Sequence, residues 1–481
     1  MSTVNNRIEN VYGLTPLQEG MLFHYLYEKN TTAYILQSVF TVNEEVELGA
    51  VEKALKLLSR RFDVLRTAFA YEKIKKPRQV VIADREAELK YLDFSDKDTN
   101  EFEKDFQALL SEDQKKGFDL TRDPLLRLNV IKKDETTYKF VFTTHHIIVD
   151  GWCVQIIITK FFEYLKRLTN REEYEAISKE IEKECSESAE YGEYVEWINE
   201  QDQAKAIKYW SEELADYDND AVIKAMKKPC RTDKTVGELW GSIEEKTTEK
   251  IKKLTGEAGA TINTAAETAV GLLLQKYSGS NDVVFGKVVS GRNAPVKGIE
   301  EMVGLFINTI PVRVKADKET TVKELIKSQQ EKGNESTNYD YCSIVEIQSR
   351  TEKGSDLIKV LYVFENYTSG AELEEKKTES GNTIRFEGSR EQTNYGITIS
   401  GYEIEGKLSF KILYDPNMYC EEEVQMIMDR LLKICEEIAQ KPDSKVCEIE
   451  TVTESEKKLI LNDFNATETE YPRDKTVAEL F

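Results

Sequence analysis

Two of the chain's three histidines stand side by side, His145 and His146, and the pair Asp150-Gly151 follows closely. An imidazole titrates near neutrality, so it can accept or relay a proton at cellular pH. The stretch before them, Tyr138 to Thr144, alternates like a strand. Phe140, Phe142, Thr144 and His146 fall on one face, and Val141, Thr143 and His145 on the other. After Asp150-Gly151 the apolar residues Val154, Ile157, Ile158, Phe161, Phe162 and Leu165 take helical spacing. The histidines therefore end a strand, and an Asp-Gly turn leads into a helix, a place where α/β proteins often put chemistry. Adjacent strand residues point to opposite faces, so the two rings cannot share one task. His146 is expected to be the working group and His145 its structural neighbour. Asp150 is suited to fixing the loop through an arginine instead of touching substrate.

The rest of the chain limits what that chemistry can be. Its 481 residues allow about three average domains. Acidic residues outnumber basic ones, 88 to 66, which argues against nucleic acid or an anionic membrane surface as the main partner. Seven scattered cysteines without a Cys-x-x-Cys pair suggest reduced thiols in a cytoplasmic protein, with no disulfide framework and no metal site. The first residues carry no apolar signal segment, and no run of about 18 apolar residues follows. There is no phosphate-cradling Gly-x-x-x-x-Gly-Lys-Ser/Thr and no dinucleotide fingerprint, so no bound cofactor is expected.

Several other segments carry recognisable patterns. Leu14 to His24 opens a helix, with Thr15 and Gln18 forming a Thr-x-x-Gln capping box. Arg60 to Phe69 contains Arg61 and Arg66, which would ordinarily be surface charges. Tyr191-Gly-Glu-Tyr-Val-Glu-Trp197 reads as core packing. Asp282 to Arg292 is a strand entering a Ser290-Gly-Arg292 turn, and Glu301 to Arg313 alternates like a buried strand. Ser290 and Asn308 are polar in apolar surroundings and should meet a partner or a cavity. Arg292 is the expected ion-pair partner of Asp150, because a buried aspartate left unpaired would cost several kcal/mol. Arg171 to Glu190, dense in charge, reads as a solvated helix or linker, with a lobe boundary at about residues 175 to 185. Ala371 to Gly381 reads as a charged loop.

The full string His145-His-x-x-x-Asp150-Gly151 resembles the signature of condensation domains of nonribosomal peptide synthetases, within the chloramphenicol-acetyltransferase-like group. The resemblance extends over roughly residues 10 to 450 in six or seven ordered motifs. It implies an α/β fold of two acetyltransferase-like lobes, residues 1–178 and 179–450, in a V-shaped pseudo-dimer around a tunnel. His145, His146, Asp150 and Gly151 would form the catalytic segment, supported by Arg61, Arg66, Arg292 and Trp152. Ser290, Asn308, Thr309 and Asn394 would line the tunnel. Phe62 replaces the histidine usual in the family's Arg-His-x-x-Leu-Arg-Thr motif, so that histidine's role does not carry over. Glu391 to Gly396 resembles the last motif in a form suited to a D-configured donor, near a loop that latches the lobes in that family. Residues 451–481 resemble a linker and the start of an adenylation domain.

The activity implied is peptide-bond formation between two thioesters carried on phosphopantetheine arms. One arm belongs to an upstream donor carrier protein and the other to a downstream acceptor carrier; the adenylation domain adjoins, and the chain is expected to be a monomer. Epimerisation is an alternative, although Trp152-Cys-Val departs from the Ser-Trp-Arg type of continuation expected there. A cyclising domain would have aspartates for the two histidines. A dual epimerising and condensing domain would need a second histidine pair near the N-terminus, where only His24 stands. A non-catalytic module recruiting a carrier protein or tailoring enzyme should have lost His146, Asp150 or Gly151, and none is lost.

Overall fold

Alternation of large apolar side chains builds the first sheet, and its most central partners deliver the histidines. The structure, a computed structural model, describes residues 7–27, 32–225, 236–365, 376–377, 383–390, 393–470 and 473–480. The strands of the first half are β1 (Ile8–Tyr12), β2 (Ile35–Val42), β3 (Thr67–Ala70), β4 (Arg78–Ile82), β5 (Glu88–Asp93), β6 (Leu126–Lys132) and β7 (Tyr138–His145). Those of the second are β8 (Gly237–Ser242), β9 (Asp282–Val289), β10 (Asn308–Lys315), β11 (Val360–Glu365), β12 (Lys376–Lys377), β13 (Thr383–Arg390), β14 (Ile397–Ile404) and β15 (Lys407–Tyr414). The first lobe holds a six-stranded sheet of order β12-β13-β2-β7-β6-β5 and a small β1-β4-β3 sheet. The second lobe holds a sheet of order β10-β9-β11-β14-β15-β8.

Helices cover these sheets: α1 (Pro16–Tyr27), α2 (Leu48–Arg61), α3 (Thr99–Lys116), α4 (Gly151–Thr169), α5 (Tyr174–Glu187) and α6 (Tyr191–Glu200) come first. In α4 the residues Cys153, Ile157, Ile158, Phe161 and Leu165 form one buried stripe at helical spacing. Phe161 and Phe162 pack over Phe140 and Phe142 of β7 with ring centroids 5.1 to 6.4 Å apart. That aromatic contact fixes the helix against the strand whose end carries the site. In the second lobe α7 (Gln203–Glu213), α8 (Glu245–Ala258), α9 (Ile262–Ser278), α10 (Val322–Ser336), α11 (Ile344–Ser349) and α12 (Glu421–Gln440) follow. There α9, flanked by α8, α10 and α12, is buried along most of its length.

The lobes are not cut cleanly from the sequence. The expected division at 178/179 falls inside α5, where Ile177 and Ile181 are buried in the first lobe's core. Charged residues dominate the rest of that helix, so the segment reads in sequence as a solvated helix or linker; it is a helix, and its narrow apolar stripe ties it to the first core. Helix α6 and the segment from Ala294 to Phe306 also pack into the first core, although they come after that division. In the opposite direction, β13 crosses over and adds to β2, with Phe386 against Phe40 at 5.2 Å. Lys139 of β7 and Glu387 of β13 form an ion pair across this junction. The charged loop expected at 371–381 lies outside the described residues apart from Lys376 and Lys377, and so do Glu391 and Gln392. The described part of 451–481 forms short helical segments, Glu454–Lys458, Leu459–Asp463 and Val477–Leu480, with Leu461, Phe464 and Val477 exposed.

Candidate active site

Strand β7 is paired on both sides, with β2 and with β6, so its end is rigidly placed. His145 is its last residue. The chain then tightens into a 3₁₀ turn, His146–Ile148, held by the His146 N–H donating to Tyr34 O at 2.8 Å. The His146 ring sits with Nδ1 2.8 Å from Val149 O. A carbonyl can only accept, so Nδ1 carries the proton and Nε2 is the basic nitrogen of the neutral ring. His146 is buried at 7% exposure but lines the central tunnel. His145 is different. Its Nδ1 accepts from Ile147 N–H at 3.1 Å, and its ring is boxed by Tyr25, Tyr34 and Phe118. Burial, and then the neighbouring His146, push its pKa down to about 3. A ring so hard to protonate is a packing group at neutral pH.

The expected turn at Asp150-Gly151 is the N-terminus of α4 itself. Asp150 is its N-cap, with Oδ1 accepting from Cys153 N–H at 3.0 Å. The other oxygen accepts from Phe306 N–H at 3.2 Å, which ties the helix start to the floor segment. Arg292 lies 3.5 Å from Asp150 as an ion pair, with both side chains buried. Its nearest polar contacts, however, are elsewhere: Ile299 O, Met302 O at 3.2 Å and Cys153 Sγ at 3.0 Å. Arg292 therefore clamps the floor and the helix start together. Trp152 donates Nε1–H to Glu300 O at 3.0 Å and lies under the Arg292 guanidinium. Gly291, beside it, has φ +64, and a Cβ there would meet Phe306 O at 1.9 Å. The glycine is required by both backbone and space.

A tunnel of about 2610 Å³ runs between the lobes. It is lined by His146, Asp150, Gly151 and Trp152 from the first lobe and by Ser290, Arg292, Thr309 and Asn394 from the second. Asn308 is placed otherwise: it is absent from the tunnel wall, which takes Ile307 and Thr309 instead. Side chains alternate along β10, so the residue between two tunnel-facing ones points away. Asn308 instead donates to Asp340 O at 2.6 Å and Cys342 O at 2.8 Å. Arg61 and Arg66 support the lobe at a distance from the histidines. Arg61 pairs with Glu184 of α5 at 3.1 Å, and Arg66 holds Glu9, Ser59 O, Ile82 O and Ala83 O. Phe62 fills its place as a buried ring under the Arg61 guanidinium.

Three contributors escaped sequence reasoning. Gln18, read only as a cap, is fully buried and donates to Ile147 O at 2.8 Å, next to His146. It also exchanges amide bonds of 2.9 Å with Gln79. Tyr34, at φ +67, receives the His146 N–H and also the Asn394 amide at 2.7 Å, so it bridges both lobes at the site. Cys153 sits between Arg292 and the Gly304 backbone. The capping box signalled the first; no local pattern signals the other two.

Known proteins are similar to this chain in architecture and in sequence. The family model described as "Condensation domain" matches residues 8–461. Bacitracin synthase 1 of Bacillus licheniformis is 33% identical over 99% of the chain, and gramicidin S synthase 2 of Brevibacillus brevis is 32% identical over 100%. The chain spans 9% and 11% of those relatives' lengths. A four-domain nonribosomal peptide synthetase solved with AMP and glycine superposes with a TM-score of 0.77 at 17% identity, covering 95% of this chain and 35% of that one. The X-domain from teicoplanin biosynthesis gives 0.75 at 19%, covering 91% and 97%. These structures share the two-lobed fold. A signature segment held at the wall of an inter-lobe tunnel, and a family match along nearly the whole length, lead to one conclusion: the chain belongs to the condensation-domain family of nonribosomal peptide synthetases.

Proposed function

We propose that the chain joins a donor acyl or peptidyl thioester to the amine of an acceptor aminoacyl thioester. Both substrates are carried on phosphopantetheine arms of partner carrier proteins. The observation that carries this reading is His146 on the tunnel wall with Nδ1 committed to Val149 O, so that Nε2 is its basic nitrogen. An unperturbed α-amine has a pKa of about 8, so much of the barrier falls once a neutral amine is held beside a thioester. His146 hydrogen-bonds the attacking amine or takes its proton as the tetrahedral centre forms. The Gly151 N–H, at the positive end of α4, faces the developing oxyanion. Asp150 and Arg292 hold that helix end and do not touch substrate. The sequence of Glu391 to Gly396, in the form suited to that branch of the family, favours a D-configured donor.

The test is a single-turnover assay with one carrier loaded with D- or L-aminoacyl thioester and the other with an L-amino acid. Dipeptidyl thioester should form, and His146→Ala should slow it by about 10² to 10⁴, the usual contribution of a positioned proton acceptor. Undiminished product in the variant removes His146 from the mechanism. Exchange of the Cα hydrogen with solvent and no dipeptide would favour epimerisation. Carrier binding with neither reaction would favour a recruitment role.

A further inference from the structure

A second, smaller cavity of about 290 Å³ adjoins the tunnel. Leu17 and Ile307 line both spaces, which adjoin at these two side chains. Into the smaller one faces Asp340, 9% exposed. Among the described residues its carboxylate has no ion-pair partner and accepts nothing beyond its own backbone N–H. No lysine, arginine or histidine among the described residues lines this cavity. Burial pushes the Asp340 carboxyl up to about 6, so it is still ionised at neutral pH. An ionised, unpaired carboxylate in so buried a place costs several kcal/mol unless something compensates it.

The other lining groups specify the compensating charge. Asn308 spends its amide protons on Asp340 O and Cys342 O, and its Oδ1 is a buried acceptor without a partner among the described residues. Tyr194 donates to Phe306 O and Tyr341 to Asp202 O, so neither phenol offers its proton inward. Trp197 stacks on Tyr194 at 6.2 Å and meets Tyr341 edge-on at 6.4 Å. Acceptors beside aromatic rings suit a small cation that can also donate hydrogen bonds. We infer that this side cavity binds a primary ammonium group, with Asp340 as its counter-ion and Trp197 and Tyr341 as its aromatic walls. The volume suits a short alkylammonium and is too small for a drug-sized ligand. The group arrives either as a free amine or as the side-chain ammonium of a residue tethered in the tunnel.

Calorimetric titration of the whole chain at pH 7 with n-propylammonium, against n-propanol, tests the inference. Saturable binding of the amine, at least tenfold tighter than that of the alcohol, is expected. Asp340→Asn should weaken it at least tenfold, and Trp197→Leu several-fold. The ionisable groups around Asp340 include the phenols of Tyr194 and Tyr341 and the Cys342 thiol, all pushed up by burial, with Tyr339 and Asp202 acting on Tyr341. Wild-type binding should therefore weaken between pH 7 and 5, and this dependence should be absent in Asp340→Asn. Should that variant fold poorly, the pH series and Trp197→Leu still decide. Equal binding of alcohol and amine, or none, overturns the inference and leaves a water-filled space. Displacement of propylammonium by the pantetheine amide of ornithine, but not by that of norvaline, identifies a tethered side chain as the source; no displacement by either identifies a free amine. The propylammonium titration does not depend on peptide-bond formation, so either reading can fail without the other.

Discussion

Replacing Arg292 with methionine removes a buried cation while keeping most of its volume, and the consequence can be worked from Asp150. Breaking a buried ion pair by deleting one partner costs about 3 to 5 kcal/mol, because the other charge is left behind. Two features place Arg292→Met at the low end. The pair distance is 3.5 Å, and the two carboxylate oxygens keep their bonds to Cys153 N–H and Phe306 N–H. A loss of about 3 kcal/mol follows. Part of it, about 1 kcal/mol for each net hydrogen bond, belongs to the arginine's bonds to Ile299 O and Met302 O. A double-mutant cycle separates the two. Asp150→Asn keeps an acceptor for the Cys153 N–H but removes the charge, so adding it to Arg292→Met should restore about 1 to 2 kcal/mol. Urea unfolding of the four proteins, followed by tryptophan fluorescence, measures this. Strict additivity, with a coupling below about 0.5 kcal/mol, would refute the reasoning and mean that the two amides alone satisfy Asp150.

Two further outcomes are expected. The pKa of His145 is pushed down to about 3, below the usual value near 6.5, so the unfolded chain binds a proton that the folded one refuses. Stability should fall as the pH drops below about 6.5, by about 2 kcal/mol at pH 5, and His145→Gln should flatten that part of the urea-midpoint profile; an unchanged profile would show that the ring is solvated. Gly291→Ala should destabilise by more than about 2 kcal/mol, since a left-handed φ adds to a clash with Phe306 O. Wild-type unfolding midpoints in that variant would mean the Ser290–Arg292 turn adapts freely.

Local chemistry made the histidine segment legible in the sequence. Period-two alternation up to the histidines, then helical spacing after Asp150-Gly151, put the pair at a strand end shortly before a helix; that only His145 belongs to the strand and that Asp150 caps the helix was decided by the fold. The Thr15–Gln18 box and the polar residues Ser290 and Asn308 in apolar surroundings were likewise readable, because each depends on neighbours within a few positions. Arg292 could be matched to Asp150 because a buried charge demands a partner and few arginines sit in apolar surroundings. Long-range placement was not encoded locally. Asn308 faces the side cavity because of the β10 register, and α5 belongs to the first core because a narrow stripe of Ile177 and Ile181 meets α2. Strand β13 completes the opposite lobe's sheet, a pairing between residues more than 340 positions apart. Tyr34 and Gln18 reach the histidine turn from elements brought there only by packing. Sequence determined what the groups can do; the tertiary structure decided which cavity each one faces, because burial and register are properties of the assembled sheets.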